Sequence, residues 1–142
     1  MKKVVFLTGA TGVMGMQTVK KFMDHTDEFE LRVLARPSEV NYQKLAPYED
    51  NLKIIWGNLM DYDLLSRCME GVGYVLHVGA ILNPIATDWP SDITMRTNYG
   101  STLAMLRGIK QFHQEEKTHF VYISTLETLG HHEAPHYWGR MG

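Results

Sequence analysis

The sequence predicts a doubly wound α/β fold: a parallel sheet of at least five strands with helices on both faces. Three observations carry this. Short apolar runs alternate along the chain with longer stretches of helical spacing. Those runs are apolar almost throughout rather than at every second residue, as strands covered on both faces must be. The first run ends in a glycine-rich turn, "TGATGVMG", that leads straight into a helix. Such alternation gives parallel strands joined by helical crossovers.

Each element has its own signal. "KVVFLTGA" stops at Gly9 and reads as the first strand. A helix follows from Gly12 to His25, with Met16, Val19, Phe22 and Met23 at helical spacing. "ELRVLARP" is a second strand, stopped by Pro37. A polar, weakly helical stretch then runs to Tyr48. "LKIIWG" is a third strand. "MDYDLLSRCMEGV" is a helix capped by Asp61 and ended by Gly71. "GYVLHVGA" is a fourth strand, and Pro84 and Pro90 bracket the loop after it. A long helix is expected from about 91 to 113, with Tyr99, Leu103, Leu106 and Ile109 along one apolar face. "THFVYIST" is a fifth strand. Residues 1–130 therefore read as one domain. Residues 131–142, with no periodicity, read as a loop or tail.

Composition narrows the function classes. The 142 residues can bury a real core. A formal charge of −2 and the lack of a Lys/Arg cluster exclude a nucleic-acid footprint. No apolar run approaches the roughly 18 residues of a membrane span. "MKKVVFLTGA" mimics a signal peptide, but a glycine motif stands where a cleavage site would be. Cys68 is the single cysteine, so no intrachain disulfide forms, and a cytoplasmic setting is expected. His131, His132, Glu133 and His136 form no convincing ligand set, so no metal is expected.

The glycine motif carries the chemistry. Gly9 permits a tight turn out of the strand, Gly12 admits a pyrophosphate to the backbone, and Gly15 lets the helix pack close to the sheet. The helix N-terminus then offers free N–H groups and a positive dipole end. A strand before and a helix after supply the context that the motif requires. No Gly-Lys-[Ser/Thr] follows the glycines, which removes a P-loop.

With its Gly-x-x-Gly-x-x-Gly spacing, the chain resembles the short-chain dehydrogenase/reductase superfamily. It looks most like the extended branch of NAD(P)-dependent epimerases, dehydratases and reductases. Val13 and Met14 stand where that branch usually has an aromatic and a branched aliphatic residue. The resemblance implies a Rossmann-like sheet in the order 3-2-1-4-5. It also implies cofactor contacts at Gly9, Thr11, Gly12, Val13, Met14, Gly15, Arg36, Asn58, Leu59, Gly79, Ala80 and Ser124. Arg36 ends the second strand, where an NAD enzyme needs a carboxylate for the ribose hydroxyls. An arginine there can pair with a 2′-phosphate, so NADP is favoured over NAD. Ser38 could add a hydroxyl contact. Asn58 replaces the family's aspartate toward the adenine amino group, and its side-chain carbonyl can accept the same bond. Gly79 and Ala80 fit a stretch of small residues that leaves room for ribose and diphosphate. His77, in the same stretch, is read as a strand histidine and not as catalytic. Asn98 matches an asparagine that organises the active site and can kink its helix.

Aligned on Gly130, Thr125 takes the family's catalytic Ser/Thr position. The family's remaining pair is Tyr-x-x-x-Lys. Tyr137 does not supply it, because Met141 carries no charge and no lysine follows Lys117. The resemblance implies the cofactor domain of a longer enzyme that transfers hydride to or from a sugar-nucleotide-like or small carbonyl or alcohol substrate. The fragment itself is expected to be inactive, and its end to be a truncation point. The alternative is a non-catalytic NAD(P)-sensing module. The expected partners are a small-molecule substrate and a homodimer mate, met through the 91–113 helix or an exposed sheet edge. No nucleic acid and no membrane are expected.

Overall fold

The computed structural model describes residues 1–82 and 90–124. The expected tail and part of the loop with Pro84 lie outside them. The strands are β1 (Lys3–Thr8), β2 (Phe29–Ala35), β3 (Leu52–Trp56), β4 (Tyr74–His77) and β5 (His119–Tyr122). They form one parallel sheet in the order β3-β2-β1-β4-β5. This is the predicted order.

Period-2 side-chain alternation explains the two-sided core. Val5 and Leu7 of β1 and Val33 and Ala35 of β2 face one way. There they join Val19 of helix α1 (Val13–Phe22) and Leu45 of helix α2 (Glu39–Leu45). Phe6 and Leu34 face the other way. They meet Leu65 of helix α3 (Tyr62–Cys68) and Ala104, Met105 and Ile109 of helix α5 (Ser101–Gln111). Burying both faces is why the strand runs are apolar almost throughout.

The helix ends follow local rules. Asp61 caps α3 as expected, its carboxylate accepting from the Leu64 N–H at 3.1 Å. Ser38 caps α2 in the same way, accepting from the Asn41 N–H. The first helix ends at Phe22, with Met23–His25 tightening into a 3₁₀ turn. The stretch expected to be weakly helical to Tyr48 is α2 followed by a 3₁₀ segment, Ala46–Asn51.

The long helix departs from expectation in two ways. It is interrupted: helix α4 (Ser91–Met95) passes through a π-helical turn, Arg96–Gly100, before α5 begins. Its apolar face is also not the expected one. Ile109 is buried, but Tyr99 is 58% exposed and Leu106 44%. The buried stripe is Ser101, Ala104, Met105, Gly108 and Ile109. Small residues win because α5 lies against α3 at backbone distance. A β-carbon on Gly108 would overlap the Ser66 carbonyl oxygen and sit 2.8 Å from its Cα. Ser66 Oγ donates to the Ala104 carbonyl at 2.8 Å across the same contact.

Gly108→Val should therefore push α5 off α3 and lower stability by about 2–3 kcal/mol. Urea denaturation checks this. A loss under about 0.5 kcal/mol, the range of an ordinary surface substitution, would mean the contact is looser than described.

Candidate functional site

The site forms where β1 and β4 end side by side. Thr8 and His77 are their last paired residues. Beyond them the chain turns toward α1 on one side and toward the α4–α5 arm on the other. In an open parallel sheet the crevice beyond the carboxyl ends of two such strands is where ligands bind.

The glycine loop lines this crevice. Gly9 has φ +73°, a left-handed conformation that favours glycine. A β-carbon on Gly9 would also lie 2.7 Å from the Gly79 nitrogen, so the β1 and β4 backbones touch. A β-carbon on Gly15 would overlap the Gly9 carbonyl oxygen, which sets how closely α1 packs on the loop. Gly12 is different. A β-carbon there would meet only the Gly9 oxygen, at 3.4 Å, an ordinary contact. Among the described residues nothing else comes within contact distance of that position. The helix begins there with no side-chain cap and no acidic residue in its first turn. The first N–H groups of α1 are thus left for a ligand, in the field of a positive helix end. This arrangement fits a phosphate group.

The other expected residues follow the carboxyl ends of the strands or begin α1. Val13 and Met14 are exposed on the first turn of α1, and Thr11 is half-buried. Arg36 is exposed just after β2, its carbonyl accepting from Asn41 Nδ2 at 2.8 Å. Asn58 uses its side-chain oxygen within its own turn, accepting from the Met60 N–H at 3.0 Å. Leu59 lies against Gly79, and Ala80 is exposed. Ser124 is exposed beyond β5. Thr125, the expected catalytic residue, lies outside the described residues, as does the histidine-rich stretch 131–136. Among the described residues no group of His, Cys, Asp and Glu could hold a metal. Nor is any helix long and apolar enough to cross a membrane.

Asn98 sits in the π-helical turn. Its side chain accepts from the Ile81 N–H at 2.7 Å and donates to the Ile81 carbonyl at 2.9 Å. It therefore clamps the segment that follows Gly79 and Ala80. The helix is irregular where the asparagine was expected to disturb it, and π-turns often mark functional positions.

Two features were not foreseen. Lys44 of α2 reaches the glycine loop, its Nζ donating to the Thr11 carbonyl at 3.0 Å. Below the loop, Thr8, His77 and Ser101 form a buried polar group. Thr8 Oγ1 lies 2.6 Å from His77 Nδ1 and accepts from the Gly79 N–H at 3.0 Å. Ser101 Oγ lies 3.2 Å from His77 Nε2. The signal was available: Thr8 and His77 are the polar residues that close two otherwise apolar runs.

His77 is 3% exposed, with Phe120 and Tyr122 beside its ring. Burial disfavours its charged form and lowers its pKa from 6.5 to about 4.

The comparisons with known proteins agree with this geometry. The family model described as NAD dependent epimerase/dehydratase matches residues 5–137. Sanguinarine reductase from Eschscholzia californica is 38% identical over 71 residues, covering 50% of this chain and 24% of the reductase. The structure of ADP-L-glycero-D-manno-heptose-6-epimerase from Helicobacter pylori has a TM-score of 0.74 at 20% identity. That match covers 98% of this chain and 44% of the epimerase chain. The structure of dTDP-glucose 4,6-dehydratase from Bacillus anthracis, in complex with NAD, has a TM-score of 0.71 at 18% identity. It covers 93% of this chain and 40% of the dehydratase chain. The chain thus spans less than half the length of each.

The His77 shift has a testable sign. The unfolded chain binds the proton more tightly, so the stabilising effect of the neutral ring is full above about pH 6.5. It is lost as the pH falls toward about 4. Wild type should lose up to about 3 kcal/mol more over that interval than His77→Asn, which cannot titrate there. Parallel urea titrations across pH check this, and identical pH profiles would refute it.

Proposed function

The chain belongs to the NAD dependent epimerase/dehydratase family, and from that premise we propose that it is the NADP-binding part of a hydride-transferring enzyme. The substrate is a sugar-nucleotide-like molecule or another small carbonyl or alcohol. The observation that carries this reading is the open space over Gly12 at an uncapped helix end. There the backbone N–H groups of α1 hold the diphosphate. Gly79 and Ala80 leave room beside it, and Asn58 and Leu59 border the adenine. Ser124 and Thr125 belong to the nicotinamide end, where the Thr125 hydroxyl holds the reacting oxygen of the substrate. When bound, the nicotinamide gives or takes the hydride.

Two cations support NADP over NAD. Arg36 occupies the position where a carboxylate would repel a 2′-phosphate. Lys44, tied to the Thr11 carbonyl, brings a second positive charge to the glycine loop. The next acidic side chain, Glu39, accepts from Gln43 Nε2 at 3.0 Å and so turns along its own helix. The 142 residues hold no tyrosine with a lysine four positions on. On this reading the chain binds the nucleotide without turning substrate over. Exposed Met95, Tyr99 and Leu106 on the α4–α5 arm support the expected pairing of two copies there.

Gly12→Ala separates binding from folding. Its stability should fall by no more than about 1 kcal/mol, the cost of a poorer N-cap, while calorimetry shows at least a tenfold weaker grip on NADP, about 1.4 kcal/mol. Unchanged affinity would end the cradle reading.

Wild type should also bind NADP about tenfold or more tightly than NAD. Arg36→Ala should remove most of that preference and Lys44→Met a smaller part, with NAD binding unchanged in both. Equal affinity of wild type for the two nucleotides would refute the NADP assignment.

A further inference from the structure

We propose that His77 is a positioning residue that couples the Gly9–Gly79 cradle to the Asn98 turn through a one-way chain of hydrogen bonds. The proposal rests on reading that cradle as the cofactor site and adds a link between its two halves.

The direction follows from counting protons. Thr8 is fully buried and Ser101 is fully buried. Thr8 Oγ1 already accepts from the Gly79 N–H. Its own hydroxyl proton needs an acceptor, and among the described residues the one at hand is His77 Nδ1, 2.6 Å away. If Nδ1 carried hydrogen, the Thr8 proton would be buried without a partner, which is costly. Nδ1 is therefore the bare nitrogen, and the neutral ring carries its hydrogen on Nε2. That N–H donates to Ser101 Oγ at 3.2 Å. Ser101 in turn donates to the backbone carbonyl of Asn98 at 3.4 Å. Every proton has one acceptor, and all the bonds run the same way: Gly79 N–H to Thr8, and Thr8 through His77 and Ser101 to Asn98.

The two ends of the chain matter. At one end, the Gly79 amide abuts Gly9, so its placement sets the width of the crevice. At the other, Asn98 clamps both backbone groups of Ile81. The segment from Gly79 to Ile81 is thus held at both ends by groups that His77 joins. A histidine that merely filled space between Phe120 and Tyr122 would not need a fixed tautomer.

Two variants separate the arms. In His77→Asn the side-chain oxygen falls near the place of Nδ1 and can accept from Thr8, but nothing reaches Ser101. In His77→Gln the amide nitrogen falls near the place of Nε2 and can donate to Ser101, but Thr8 loses its acceptor. The readouts are the ring tautomer of wild type, from nitrogen-15 NMR at pH 7, and amide hydrogen exchange. We expect the Nε2–H tautomer. We expect His77→Asn to keep Gly79 protected and speed Ile81 exchange by about tenfold. His77→Gln should do the reverse. An Nδ1–H tautomer overturns the proposal, as does parallel loosening of Gly79 and Ile81 in both variants or no change in either. None of these readouts needs cofactor. Failure to bind nucleotide would therefore strike the functional reading, whereas a wrong tautomer strikes this one.

Discussion

The site depends on one backbone contact, between Gly9 and Gly79. Neighbouring strands of a sheet run about 4.8 Å apart, and β1 and β4 keep that spacing up to Thr8 and His77. Beyond this pair the two chains must part to opposite faces of the sheet, yet the Gly9 position still lies against the Gly79 nitrogen. No side chain fits at Gly9, and a β-carbon on Gly79 would crowd the Gly9 nitrogen at 3.0 Å. The turn out of β1 can then be tight, and α1 can start directly over the sheet edge with Gly15 against the Gly9 carbonyl. Leu59, in the turn after β3, closes on Gly79 from the side. The crevice is therefore shaped by where side chains are absent.

That explains which parts of the molecule the sequence makes legible. Strands that are covered on both faces show as mostly apolar runs, so all five were readable, while their order came from the family resemblance. The glycine loop was readable because close approach and a positive φ leave few alternatives to glycine. Polar side chains at loop ends were less readable, because one residue can serve the backbone or a ligand. Ser38 was expected to add a hydroxyl contact beside Arg36, and its hydroxyl caps α2. Asn58 was expected to meet adenine, and its oxygen holds the Met60 N–H. Neither use forbids the other, since each oxygen retains a lone pair, but composition and spacing do not reveal the first.

The misread face of α5 has a related cause. Apolar periodicity assumes that large side chains mark the buried stripe. Here α5 meets α3 so closely that Ala104 and Gly108 occupy the contact, while Leu106 is turned out. The π-turn adds to the error. One extra residue per turn rotates everything before it, so Tyr99 does not share a face with Ile109 as an unbroken helix would suggest. Asn98 was the clue in the sequence, because its side chain bonds the Ile81 backbone rather than solvent.

Why should polar side chains lie under an apolar sheet end at all? Replacing both partners of a buried hydrogen bond with apolar groups of similar shape can be nearly neutral. Net stability alone therefore does not call for Thr8 and His77. The Gly79 amide does. It lies past the last ladder pair of β1 and β4, where no strand carbonyl faces it, and it is pressed against Gly9. Thr8 supplies the oxygen that this amide needs. Once Thr8 is there, its own buried proton calls for an acceptor, and a neutral histidine provides one while passing a donor to the next helix. The polar group is thus a consequence of the glycine contact. Bringing two backbones together at the crevice leaves one amide without a partner, and the side chains beneath are arranged to satisfy it.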